Sequence, residues 1–348
     1  MSHAPRRAAG VAAALAVAIA VHAAAPSAKA DAFYEGKDVR FIISAGVGGG
    51  YSAYGRALTR HLGNHIPGHP NFVVQNMPGG GGIRASNYLY AVAPKDGSVI
   101  GLVHTAVVFA PLYGMKGAKF DGRKFNFIGA MDTADGLCVA WHTSGIRTWK
   151  DLFSGKYTVG GTGAGSQMET MPRLLNSLFG TRIKIVSGYK GGNNVYLAME
   201  RGEVSGRCGG IATSIRSTRP DWFPKKKVVV PIQIAMERSS DFPDVPTVAE
   251  FAKDERTRDI LEFALAYQNM DRPVITPPGV PAERIALLRK AFNETMKDPA
   301  FLADAKKQHL TLNVHTGEQV AEIVARSYAK PKDIIAAAAA AMRPPRRH

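Results

Sequence analysis

Three glycine-rich segments punctuate the chain, at Gly46–Ser52, Pro78–Gly82 and Gly160–Ser166. Each lies between a short apolar run and a stretch of helical periodicity. Val39 to Ile43 is a run suited to a buried parallel strand, and Tyr54, Ala57, Leu58 and Leu62 then recur at helical spacing. Phe72–Val74 leads into the second loop, and Ala85, Tyr88, Leu89 and Val92 share one helical face. Tyr157–Val159 leads into the third. A loop of this kind aims backbone N–H groups and the positive end of a helix at one point, which makes an anion site without a charged side chain. In open α/β sheets such loops lie at the carboxyl ends of the strands, where ligands bind. Repeated strand, turn and helix predict parallel sheets with helices on their faces.

Further units follow the same pattern. Ser98–Val103, Ile183–Val186 and Val228–Ala235 read as strands, and Val195–Glu200 as a short helix. A second series begins near Thr133. Ser166 and Glu169 have capping-box spacing before an apolar stripe of Met168, Met171, Leu174, Leu175 and Leu178, which Gly180 closes. Pro172 inside that stripe predicts a kink or a broken first turn. The C-terminal part changes character: Pro281 suits a helix start, Asp298-Pro299 restarts a helix, and Thr316 with Gln319 suggests another cap.

The start of the chain reads as a secretory leader. Arg6 and Arg7 precede a small apolar stretch, Ala8 to Ala25, and Ala28-Lys29-Ala30 is an A-x-A cleavage site, so the mature protein would begin at Asp31. Export to the periplasm follows, and the remaining length suits two domains better than one. No later stretch approaches the roughly 20 apolar residues a membrane span needs. The chain is basic, with a formal net charge of +16 over 348 residues. Its charges are scattered, and the dense runs, Lys225–Lys227 and the tail Arg343, Arg346 and Arg347, lack interleaved aromatics, so no nucleic-acid partner is expected. A positive field would steer an anionic solute. Cys138 and Cys208 would meet an oxidising compartment, which allows a disulfide; two small buried thiols are the alternative.

Signatures of catalysis and cofactors are missing. Gly46-x-Gly48-x-Gly50 does not complete the dinucleotide fingerprint, and the sequence contains no P-loop, no G-x-S-x-G elbow and no H-E-x-x-H. His61, His65 and His69 share a segment that Pro67 and Gly68 break, so no metal is expected there. No carboxylate pair stands out as an acid–base couple. A binding cleft requires none of these, so neither an enzyme nor a cofactor is expected.

Four segments together resemble the substrate-binding receptors of tripartite tricarboxylate transporters, also called Bug receptors. They are Val39–Arg56; Asn76–Gly82 followed by Ala93-Pro94-Lys95-Asp96-Gly97; Gly188–Gly192 with Gly202-Glu203-Val204; and Asp244–Glu250 with Pro277–Pro281. The resemblance implies a type II periplasmic-binding-protein fold, an α/β architecture of two lobes with a ligand cleft between them. Residues 31–131 plus 242–348 would form lobe I, residues 132–241 lobe II, and residues 1–30 the leader. The ligand it implies is a small organic carboxylate, a dicarboxylate or an aromatic acid. The expected partners are the membrane subunits of the transporter, and the protein would act as a monomer. By position, Gly48, Gly49, Tyr51 and Ser52 would form one jaw and Thr162, Gly163 and Ser166 the other. Gly80 and Gly81, within Pro78–Gly82, would line the walls with His104, Thr105 and Tyr189. Ser52 departs from the family's usual Asp, either changing the ligand or capping the helix. A second carboxylate would want an arginine fork, for which Arg56, Arg84, Arg207 and Arg216 stand near loops; Tyr51 and Tyr189 would instead stack on an aromatic acid. Two other roles stay open: presenting a ligand to a membrane sensor kinase without transport, and an exported enzyme on the same fold.

Overall fold

The computed structural model describes residues 32–134 and 136–344, with residues 1 and 3. The leader expected over residues 1–30 therefore lies almost wholly outside the described residues, as do residues 345–348 of the basic tail. Among the described residues no helix is long and apolar enough to cross a membrane.

The apolar runs become strands and the periodic stretches helices. The first half runs β1 (Asp38–Ile43), α1 (Gly50–Leu62), β2 (Asn71–Asn76), α2 (Ile83–Ala91), β3 (Val99–Leu102) and β4 (Asn126–Asp132). The middle runs β5 (Gly136–Trp141), β6 (Thr158–Gly160), α3 (Gln167–Phe179), β7 (Lys184–Val186), α4 (Gly192–Glu200), β8 (Gly206–Ile211), α5 (Ala212–Thr218) and β9 (Val228–Gln233). The last part runs α6 (Glu255–Leu265), β10 (Asp271–Thr276), α7 (Ala282–Thr295), α8 (Pro299–Lys307), β11 (His315–Thr316), α9 (Gly317–Tyr328) and α10 (Lys332–Met342).

These strands form two sheets, in the orders β11-β4-β10-β3-β1-β2 and β7-β6-β8-β5-β9. The chain passes from the first sheet to the second between β4 and β5, and returns between β9 and β10. Parallel pairing joins β1 to β2 and β3, and β6 to β7 and β8. The purely parallel expectation is corrected elsewhere: β10 runs antiparallel to β3 and β4, and β5 runs antiparallel to β8 and β9. The strands next to the crossings enter each sheet from the other one, not from a crossover helix, so they run against their neighbours.

Each sheet builds its own core. Val39, Phe41 and Ile43 of β1 pack with Tyr54, Ala57 and Leu58 of α1, and Val195, Tyr196 and Met199 of α4 pack with Leu137 and Val139 of β5. α9 lies on β4, while α10 packs against α3 and α6, so the last helix of the 242–348 segment reaches the helix that covers the second sheet. α3 is unbroken through Pro172, contrary to expectation. Burial of Met168, Met171, Leu174 and Leu175 on one face outweighs the single hydrogen bond that the proline removes. Gly180 closes α3 in the left-handed conformation, and Thr316 and Gln319 form the capping box that opens α9, both as expected. Cys138 and Cys208 face each other across β5 and β8 and are joined as a disulfide, which settles the open pairing.

Candidate functional site

The glycine loops meet between the two sheets. Gly81 N donates to Thr162 O (3.0 Å), Gly165 N to Gly80 O (3.2 Å), and Gly46 N to Lys190 O (2.9 Å). These bonds bring the 78–82 loop onto the 162–166 loop, and the 46–50 loop onto the 188–192 loop. Gly81 has φ +68°, and a Cβ there would collide with Ser166 N, so the close approach requires glycine.

Enclosed between these contacts is a cavity of about 20 Å³, room for roughly one water molecule. Ala45, Gly49, Gly50, Tyr51 and His104 line it from the first sheet. Gln167, Met168, Gly192, Arg207 and Ser214 line it from the second. Three helices begin here: α1 after its N-cap Gly49, α3 after Ser166 and α4 after Gly191. Their first-turn N–H groups have no intrahelical acceptors, and each helix end carries a partial positive charge.

Two buried arginines add full charges. Arg207 on β8 is 6% exposed. Its Nη1 donates to the Tyr196 hydroxyl, and its guanidinium carbon lies 5.1 Å from the Tyr196 ring centre. Its Nε is buried without a partner, and no ion pair joins Arg207 to a carboxylate among the described residues. Arg272 on β10 is fully buried and paired with Asp271 (2.6 Å). Its guanidinium carbon is 4.5 Å from the ring centres of both Tyr51 and Tyr54, and its Nη2 donates to Ser214 Oγ across the cleft (2.9 Å). Arg272 takes φ +60°, a strained backbone for a bulky residue.

Around Arg272 the polar groups face inward. Tyr51 Oη and Thr105 Oγ1 both donate to Asp271 Oδ1 (3.2 and 2.6 Å). Burial, with the Asp271 charge, pushes the Tyr51 hydroxyl up to about 12. His104 Nδ1 lies 3.1 Å from Ser44 Oγ. Burial, then the charges of Arg272 and Arg207, push this imidazole down to about 3, so it is neutral at physiological pH. Asp132, at the end of β4, accepts from Tyr54, Thr311 and Asn313. Burial and then the Asp271 charge push it up to about 6.

Of the residues expected at the site, Gly49, Tyr51 and His104 line the cavity. Gly48 is exposed beside Asn193 of α4. Gly80, Gly81, Thr162 and Gly163 sit where the loops touch. Thr162 Oγ1 and Ser166 Oγ are buried with no partner. Thr105 is tied into the Asp271 network. Tyr189 lies outside the cavity lining, half-buried against Gly160 and the second-sheet core. Ser52 neither caps α1 nor lines the cavity: the N-cap is Gly49, and Ser52 Oγ accepts from Arg56 Nε (3.3 Å). Its side chain is one turn too deep to reach the helix end. Ser166 holds the N-cap position of α3 but forms no capping box, because Glu169 Oε1 accepts from Gly163 N (2.6 Å) and Ser187 Oγ instead.

Of the four candidate arginines, only Arg207 reaches the cavity. Arg56 is held by Ser52 and Asn76, Arg216 pairs with Asp241, and Arg84 is exposed. The Asp271–Arg272 pair was missed, as were Gln167, Met168, Gly192 and Ser214. Gln167 and Gly192 were legible as first residues after glycine-rich loops; Asp271-Arg272 carried no local signal. Among the described residues no cluster of His, Cys, Asp and Glu could hold a metal. His61 and His65 face Asp304 and Asp298 respectively (3.2 and 2.9 Å).

Known proteins share this fold. A UPF0065 protein of Cupriavidus necator is 26% identical over 336 residues, covering 94% of each chain. The solved periplasmic binding protein BugD superposes with a TM-score of 0.69 at 19% identity, over 88% of this chain and 98% of its own. MatC from Rhodopseudomonas palustris, solved with bound malate, gives a TM-score of 0.68 at 18% identity, over 86% and 99%. The family described as the tripartite tricarboxylate transporter family receptor matches residues 59–339, most of the length of this protein, and the chain belongs to that family.

Proposed function

We propose that this protein is an exported receptor that captures a small organic carboxylate between its two lobes and presents it to the membrane subunits of a tripartite tricarboxylate-type transporter. The observation that carries this reading is the convergence of three helix N-termini and the buried Arg207 on one cavity between the sheets. That arrangement is complementary to an anion, and among the described residues no His, Cys, Asp and Glu cluster could hold a metal. The malate held by MatC is a ligand of the same chemistry. The leader-like sequence of residues 1–30 supports export to the periplasm.

The lobes divide at the two passages between the sheets, residues 133–135 and 234–270, and the ligand enters when they part. Lobe I is built on residues 32–132 and the returning strands β10 and β11, and lobe II on residues 136–233 with α10 packed on its α3. Glycine contacts at Gly46, Gly80 and Gly81 then re-form on closure.

A thermal-shift screen of the purified protein against organic acids tests the reading. A ligand present at 1,000 times its Kd adds about 4 kcal/mol to the folded state. The expected result is a shift by one or a few carboxylates, with small-angle scattering becoming more compact on saturation. Absence of any shift across di-, tri- and aromatic carboxylates would refute it.

A further inference from the structure

We propose that Arg207 determines the charge of the ligand: it is the counter-charge that makes the cleft prefer an acid with two anionic groups over a matched acid with one. This rests on the receptor reading above and adds the residue that reads charge. Arg207 lines the cavity, is only 6% exposed, and has a buried Nε with no partner. An uncompensated buried guanidinium is costly, and an incoming anion relieves that cost. The other arginine at the cleft cannot serve, because Asp271 neutralises it.

The surroundings hold Arg207 for this role. Tyr196 is a positioning residue: its hydroxyl accepts from Nη1 and its ring lies beside the guanidinium. Gly192 leaves the space, since a Cβ there would come within 2.8 Å of Nη1. The guanidinium therefore sits against the first turn of α4, next to a helix N-terminus. With the partial charges at α1, α3 and α4, the local positive charge amounts to about two to three elementary charges, which favours a dianion. An aromatic monoacid finds no free platform, because the Tyr51 ring is already packed by Arg272 (4.5 Å) and His104 (4.5 Å between ring centres).

The test measures binding by calorimetry for succinate, malate and adipate, their half-amides, and benzoate. It uses the wild type, Arg207→Gln and Tyr196→Phe. In the wild type a diacid should bind about 10- to 100-fold tighter than its half-amide, the range of a charged hydrogen bond. In Arg207→Gln the diacid should weaken by that factor while the half-amide stays within about twofold, closing the gap; Tyr196→Phe should narrow it partly. A gap that survives in Arg207→Gln, or benzoate binding as tightly as any diacid in the wild type, overturns the proposal. If no acid binds the wild type, the receptor reading fails by itself. Arg207 is then judged on the free protein, where Arg207→Met should unfold at the wild-type temperature or above it, as expected on removing an unpaired buried charge. A melting point lower by several degrees would make Arg207 a structural residue.

Discussion

The two sides of the cleft each bury an arginine, and they treat it in opposite ways. On the first-sheet side, Arg272 is neutralised by Asp271, packed against Tyr51 and Tyr54, and tied across the cleft to Ser214. On the second-sheet side, Arg207 has the Tyr196 hydroxyl and no carboxylate. The first arrangement has its counter-charge within the chain and shapes the wall, although the Arg272 Nε, like that of Arg207, is buried without a partner. The second leaves a charge to be satisfied from outside. Burial of a cation therefore means scaffold or recognition according to whether its counter-ion belongs to the chain.

Three experiments would break or sharpen this contrast. The largest effect is expected for Asp271→Ala, which strands the buried Arg272; unfolding in denaturant should show a loss of about 3–5 kcal/mol. A loss below about 1 kcal/mol, the value of an exposed pair, would mean that the two arginines are not held differently.

The next effect is pH-dependent and comes from His104. The unfolded imidazole takes a proton below its ordinary 6.5, while the folded one resists until about 3. Its contribution to stability is thus complete above pH 6.5 and is lost as pH falls towards 3. Asp132 acts in the opposite sense: its folded carboxyl keeps its proton up to about 6 and its unfolded one only to about 3.8, so its contribution is lost as pH rises through that window. The readout is therefore the difference between His104→Gln and the wild type. Between pH 6.5 and 4 the wild type should lose about 3 kcal/mol more than the variant. Equal losses would show that His104 is not kept neutral by its burial beside the arginines.

The smallest effect is expected for Ser214→Ala, which removes one hydrogen bond between the sides. It should weaken closure by about 1 kcal/mol, seen as roughly fivefold lower affinity for whichever acid binds, with the denaturation midpoint nearly unchanged. A large fall in the midpoint would place Ser214 in the folding core of the Arg272 network instead.

Much of the fold was legible from local signals. The strands β1, β2, β3, β6, β7 and β9 were apolar runs, and Gly180, Thr316 and Gln319 marked helix ends through local backbone chemistry. β8 was not legible because Gly206, Gly209 and Gly210 interrupt its apolar pattern. β10 was hidden by Asp271 and Pro273, residue types depleted in strands, which survive here in an element wholly buried between β3 and β4. Around the cavity, Gly49 and Tyr51 were legible from the glycine-rich start of α1, and His104 from its place just after β3. Ser52 was misplaced because a shift of a few residues along a helix decides whether a hydroxyl caps the end or faces Arg56.

The sequence by itself determined the units: glycine loops that open helices, apolar runs of strand length, and helix caps. All are consequences of backbone freedom and hydrophobic period, which act over a few residues. Only the tertiary structure decided which loops oppose one another, that Cys138 meets Cys208, and which arginine is left with a free charge. Those outcomes depend on distances between segments far apart in the chain. Asp271 already stands beside Arg272 in the chain, whereas only the fold brings Tyr196 and the small cavity between the sheets to Arg207.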